Sequence, residues 1–146
     1  MVDHRRLGFA AGAALALMIA APHAFADGQA RISSADILDG KETFQICAVC
    51  HRLDKSGAST TGPNLYGVVG RKVGKLPGFR YSRQLAKSQA VWTVKLLDAW
   101  LRDPQKVFPG NRMPFTGLKS AADRRDVIAY IEDVSNGGHT SGTGAH

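Results

Sequence analysis

The chain has 146 residues, 19 Lys and Arg against 12 Asp and Glu, a formal charge of +7 and 44% hydrophobic residues. That length and balance describe one domain around one core, with no size to spare for a second. Basic positions are not interleaved with aromatic ones as on a base-stacking platform, so no nucleic-acid partner is expected; acidic protein surfaces or anionic lipid headgroups remain.

The first residues, M-V-D-H-R-R, carry Arg5 and Arg6 and give way to the apolar run L-G-F-A-A-G-A-A-L-A-L-M-I-A-A, which leads to Ala24-Phe25-Ala26. A charged start, a short apolar core and an A-x-A site predict a secretory signal peptide over residues 1–26, cleaved before Asp27. The run is shorter than the roughly 20 residues that span a bilayer, so the mature protein is expected not to be integral to a membrane. Cleavage leaves a basic chain of 120 residues exported to the periplasm. So small a domain gains much from burying a large prosthetic group.

In the mature chain, Ser33 or Ser34 is placed to cap a helix that carries Ile37, Leu38, Lys41 and Phe44 towards Cys47. From Arg52 to Tyr81 glycines and prolines interrupt every few residues, which predicts a long irregular segment of the kind that wraps a ligand. Trp92 to Asp103 reads as a second helix with a Leu96, Leu97, Trp100, Leu101 stripe, stopped by Pro104. Pro109 to Phe115 is a second irregular loop. Ser120 and Asp123 form a capping-box pattern for a last helix, where Val127, Tyr130, Ile131 and Val134 share a face and Asn136-Gly137 ends the run. The domain is therefore expected over 27–136, followed by a disordered Gly/Ser/Thr/His tail over 137–146. No strand is predicted, and the fold class is all-α.

Both cysteines lie in Cys47-Ala48-Val49-Cys50-His51. That spacing suits a redox disulfide, half a zinc site or the attachment site of a c-type haem. Zinc lacks a fourth ligand, since beyond His51 the mature chain offers only His139 and His146 in the tail. A redox C-x-x-C should open a helix after a strand, whereas this one ends a helix. A plain disulfide leaves His51 without a role. Covalent haem uses all three groups, with thioethers at Cys47 and Cys50 and His51 on the iron. Met1 and Met18 leave with the signal, so Met113 is the remaining methionine, in a loop between Pro109-Gly110 and Pro114-Phe115. Its neutral, soft thioether suits iron in both oxidation states, and it is the expected second ligand.

Taken together, C-A-V-C-H, G-P-N-L-Y-G-V-V-G-R-K-V-G, P-G-F-R-Y-S, Trp92, L-R-D-P, P-G-N-R-M-P-F and D-V-I-A-Y-I resemble the class I monohaem cytochromes c, mitochondrial-like and bacterial cytochrome c2-like. The resemblance runs from about Gly40 to Ser135. It implies a small cytochrome c fold, with N- and C-terminal helices crossing at Gly40 and Phe44 against Val127 and Tyr130. It implies haem c on Cys47 and Cys50, iron ligation by His51 and Met113, and Pro63 as acceptor for the axial histidine. Propionate-holding groups fall on Arg71, Tyr81 and Trp92, with Asn111 in the methionine loop. Trp100, Leu85 and Asn111 stand where many members carry tyrosine, asparagine and threonine. The shortened spacing between Phe44 and Cys47 points to a bacterial relative.

The implied function is one-electron transport in the periplasm between respiratory or photosynthetic complexes, not catalysis. A haem subunit of, or dedicated donor or acceptor to, a periplasmic oxidoreductase has the same site chemistry, and a haem enzyme or ligand sensor requires an open iron position. The expected partners are acidic docking surfaces of an oxidase, a reductase or a cytochrome bc1-type complex, met by a monomer. Arg102, Lys106, Arg112 and Lys119 flank the methionine loop for that purpose.

Overall fold

A computed structural model describes residues 32–138; the expected signal peptide, the first residues of the mature chain and positions 139–146 of the tail lie outside that range. Helix α1 (Ser34–Ala48) starts where Ser33 accepts the Asp36 amide at 3.2 Å and the Asp36 carboxylate accepts the Ser33 amide at 2.6 Å. This reciprocal pair satisfies two otherwise free donors. Of the residues assigned to the first helix, Phe44 is buried while Leu38 is 57% exposed.

Helix α5 (Ala121–Ser135) opens on Ser120, whose hydroxyl accepts the Asp123 amide at 3.2 Å. It closes on glycine: Gly137 adopts φ +102°, its amide bonds the Val134 carbonyl, and the Gly138 amide reaches the Asp133 carbonyl at 2.8 Å. These two bonds satisfy carbonyls that the helix end leaves without partners, so Gly137 and Gly138 belong to the helix cap.

Helices α1 and α5 share the most extensive helix contact. They cross where Gly40 faces the Asp126 backbone and the Tyr130 side chain, and a Cβ on Gly40 would overlap the Asp126 carbonyl. Phe44 and Tyr130 meet beside it with ring centroids 5.6 Å apart. Arg125 bridges the pair, its Nη2 reaching the Asp36 carboxylate at 2.9 Å and Asp126 at 2.7 Å. Hydrogen bonds from Ser33 hold the Asp36 carboxyl below its ordinary range, with a smaller contribution from Arg125.

Between the crossing helices the long segment is irregular, as its glycines dictate. One short helix, α2 (Arg83–Lys87), lies beyond it and was not anticipated: five residues give no period to read, and only Leu85 is buried. The second expected helix, α3 (Val94–Arg102), starts two residues late because Thr93 is the cap, accepting the Leu96 amide at 3.1 Å. Trp92 is thereby left outside the helix, where its amide bonds the Arg71 carbonyl and its carbonyl accepts the Gly70 amide, beside an antiparallel bridge between Lys72 and Val91. Pro104 ends α3 and also opens α4 (Pro104–Val107), which Asp103 caps through the Lys106 amide. A proline lacks the donor that a helix interior needs, but the first helical position needs none.

The buried core joins Phe44, Val127, Ile128 and Ile131 of the crossing helices to Val68, Val73, Leu85, Trp92, Leu97 and Trp100. Trp92, Trp100 and Phe108 form an aromatic triangle with centroids 5.6–6.0 Å apart.

Candidate haem site

The last turn of α1 delivers Cys47, and the chain then doubles back, with the amides of Cys50 and His51 both donating to the Cys47 carbonyl at 3.0 and 2.9 Å. The Cys50 carbonyl is held from the loop by the Gly62 amide at 2.7 Å and the Thr60 hydroxyl at 2.6 Å. Both thiols are free, and burial pushes the Cys47 thiol up to about 11, so it stays protonated at neutral pH in the polypeptide.

His51 Nδ1 lies 2.7 Å from the Pro63 carbonyl oxygen. A carbonyl only accepts, so Nδ1 carries the proton and Nε2 keeps its lone pair for a ligand. Burial lowers the His51 pKa, opposed by the Pro63 bond, which favours the neutral ring that a metal requires. Gly62 passes so close that a Cβ there would overlap the imidazole. Behind Pro63, Asn64 is 1% exposed; its amide donates to the Asp54 carbonyl at 3.0 Å and its oxygen accepts the Tyr66 amide at 2.8 Å. These bonds fix the carbonyl that orients His51.

Cys47, Cys50, His51 and Pro63 line one cavity of about 530 Å³, within the about 300–1,000 Å³ usual for cofactor sites. Met113, Arg71, Tyr81 and Trp92 line it too, and Leu97, Trp100, Val127, Ile128 and Ile131 bring the apolar faces of α3 and α5 to it. Arg71 is half-buried and donates to the carbonyls of Asn64 at 2.9 Å and Tyr66 at 3.3 Å. Burial lowers the Arg71 pKa and raises that of Tyr81, and each group partly offsets the shift of the other.

Asn111 is placed differently from the other expected residues. It is buried behind the wall, its Nδ2 donating to the Pro104 and Phe108 carbonyls at 3.0 Å each and its Oδ1 accepting the Met113 amide at 2.9 Å. Its hydrogen-bonding capacity goes to the loop, leaving nothing to offer a ligand carboxylate.

Ser82 is the site residue that sequence reasoning missed. It precedes α2 in the capping position, yet its side chain makes no capping bond. Its Oγ is instead buried without a hydrogen-bond partner and belongs to the cavity wall. A buried hydroxyl costs free energy unless something accepts its proton, so the orphan marks where a polar edge of the ligand belongs. An apolar slot with two thiols, one imidazole lone pair, one thioether and a polar corner at Ser82, Arg71 and Tyr81 fits a haem, whose face is apolar and whose edge carries carboxylates.

Comparison with known proteins agrees with this geometry. Residues 37–135 match the family model described as Cytochrome c. The chain is 46% identical over 103 residues to cytochrome c type-1 of Ascaris suum, an alignment covering 70% of this chain and 91% of the relative. It is 44% identical over 100 residues to cytochrome c2 of Rhodopila globiformis, covering 68% and 93%. Among solved structures, cytochrome cH from Methylobacterium extorquens superposes with a TM-score of 0.62 at 38% identity, covering 66% of this chain and 97% of that one. The relatives include both eukaryotic and bacterial proteins. The protein belongs to the class I monohaem cytochromes c, all-α electron carriers with one haem c bound covalently, here through Cys47 and Cys50 of the C-x-x-C-H motif.

Proposed function

We propose that His51 and Met113 would hold the haem iron and that the protein is an exported one-electron carrier. The observation that carries this reading is the shared cavity: the imidazole, with its lone pair on Nε2, and the only methionine sulfur of residues 32–138 line the same apolar space as the two thiols. When bound, the haem supplies a reversible one-electron couple. The chain's part is to hold two neutral donors, exclude water with the α3 and α5 faces, and present Ser82, Arg71, Tyr81 and Trp92 to the carboxylate edge. Asn111 serves the site by holding the Met113 backbone. Held by both His51 and Met113, the iron would have no vacant place for a substrate.

Optical spectra of both oxidation states, with and without carbon monoxide, test this reading. The oxidised protein should show a sulfur-to-iron charge-transfer band, and the reduced protein should not bind carbon monoxide at neutral pH. Met113→Ala should abolish the band and admit carbon monoxide. Ready binding by the wild type would favour an enzyme or sensor with an open iron.

The expected site of action is the periplasm, after removal of residues 1–26, with a domain over 27–136 and the His-containing tail beyond it. The charged, apolar and A-x-A segments support export, and among the described residues no helix is long and apolar enough to cross a membrane. N-terminal sequencing of the purified protein should begin at Asp27.

A monomer with this surface suits acidic partners such as an oxidase, a reductase or a cytochrome bc1-type complex. Arg102, Lys106, Arg112 and Lys119 are all exposed. The nearby acids are engaged, Asp98 with Arg124 and Asp103 in capping α4. From Lys55 to Lys95 the chain has eight basic residues and no carboxylate. Arg112 Nη2 donates to the Arg80 carbonyl at 2.6 Å, joining this basic stretch to the methionine loop at the cavity.

A further inference from the structure

Met113 reaches the cavity from a loop that has no regular structure of its own between α4 and α5. Upstream, Asn111 anchors it. Downstream, the segment leading into α5 is held by a residue that does not line the cavity. Arg124 is buried, with a side chain only 6% exposed, and its Nη1 donates to the carbonyls of Leu118 and Lys119 at 2.9 Å and of Ser120 at 3.1 Å. Its Nε donates to Asp98 on α3 at 2.7 Å. The same segment docks on the end of α3: the Leu118 amide donates to the Leu101 carbonyl at 2.7 Å, and Gly117, at φ +97°, lies so near Arg102 that a Cβ would overlap its carbonyl.

We propose that Arg124 is a positioning residue for Met113: one guanidinium ties the downstream half of the methionine loop to α3 and α5 and so keeps the sulfur at the cavity. This rests on the reading of Met113 as an iron ligand. Arg124 lies one turn before Val127 and Ile128, which line the cavity, so the clamp is built on the same helix as the wall that Met113 faces. The fork geometry matters. A guanidinium serves Asp98 and the carbonyl cluster from different nitrogens at once, whereas a lysine ammonium is a single point with three donors on a flexible stem. Arg124→Lys therefore keeps the charge and loses the span.

The test compares the holoprotein with Arg124→Lys and Asp98→Asn at neutral pH. Two readouts follow the loop, the charge-transfer band during heating and the rate of carbon monoxide binding; a third, amide exchange, reports Met113 and Leu118 separately from the interiors of α1 and α5. In Arg124→Lys the carbon monoxide rate and loop-amide exchange should rise about ten-fold, equivalent to about 1.4 kcal/mol, with a smaller rise in Asp98→Asn. Band loss on heating should separate from helix loss seen by far-ultraviolet circular dichroism. If loop and helix amides accelerate together, or band and helix signals still vanish together, Arg124 is a general stabiliser and the proposal is overturned. If Arg124→Lys does not fold, Asp98→Asn decides by the same comparison. A wild type without the band would instead overturn the reading of Met113 as ligand, and loop-amide exchange would still decide the clamp.

Discussion

Asn111 holds Met113 from behind, its Oδ1 accepting the Met113 amide at 2.9 Å while both protons of its Nδ2 are committed to the Pro104 and Phe108 carbonyls. The residue beside the proposed ligand thus spends its polarity on the backbone that carries that ligand. Asn111→Ala removes three hydrogen bonds and leaves buried groups unpartnered, each costing about 1–3 kcal/mol. We expect a stability loss of about 2–4 kcal/mol by urea denaturation and a weakened charge-transfer band. Retention of full stability would show that the loop is held elsewhere.

Ser82 gives a prediction with a chosen sign. Its buried, unpartnered hydroxyl should become a donor to the carboxylate edge of the haem, so Ser82→Ala should destabilise the holoprotein by about 1 kcal/mol or more and shift its reduction potential. Ser82→Thr, which keeps the hydroxyl, should restore the potential. Were the alanine variant indistinguishable by both denaturation and potentiometry, the hydroxyl would have no part in binding.

The crossing of α1 and α5 depends on the absence of a side chain at position 40. In an open helix, Gly→Ala gains about 1 kcal/mol of helix propensity. Here the new Cβ meets the Asp126 carbonyl, and forcing the helices apart costs about 1–3 kcal/mol or more. The clash should outweigh the propensity, and Gly40→Ala should lower the urea midpoint. An unchanged or raised midpoint would mean that the interface relaxes freely.

Acid sensitivity should include Asp54. Hydrogen bonding from the Ser56 side chain, then from Arg52, lowers its pKa from 3.8 to about 2. The folded value lies below the unfolded one, so the stabilisation is fully present above pH 3.8 and disappears as pH falls towards about 2. The carboxylate is exposed and its Arg52 partner screened by solvent, so the effect is small. Asp54→Asn should flatten the dependence of the urea midpoint on pH within that window and alter its slope nowhere above pH 5. A variant curve parallel to wild type throughout would remove Asp54 from the account.

Encounter with partners should depend on salt. The Debye length shrinks from about 10 Å at 0.1 M to about 3 Å at 1 M, and steering of this kind raises association rates by about 10–10³. The bimolecular electron-transfer rate with an acidic partner should fall steeply over that range. Lys106→Glu and Lys119→Glu should reproduce part of the fall while leaving the haem spectrum unchanged. Stopped-flow rates insensitive to salt and to both substitutions would place docking elsewhere.

What the sequence determined by itself is chemistry confined to a few neighbouring residues. Cys47, Cys50 and His51 carry their meaning in their spacing, and the cap at Ser120 with Asp123 links groups three residues apart, so the start of α5 was legible, whereas the choice of Ser33 over Ser34 for α1 came with the Asp36 pairing in the structure. Met113 could be singled out because few methionines compete for its role. Tertiary structure decided whatever depends on partners distant in sequence. Thr93 moved the start of α3 past Trp92, freeing that residue to pair with Arg71 and join the aromatic triangle. Ser82 looks like a helix cap, and only the packed structure shows its hydroxyl buried and unpartnered in a residue of the cavity wall. Arg124 reads as one charge in a polar run, D-R-R-D, until folding brings Asp98 and the Leu118–Ser120 carbonyls around it. Spacing encodes local hydrogen bonds, whereas burial, which decides whether a polar group binds a ligand, a backbone or water, exists only once separated segments have packed.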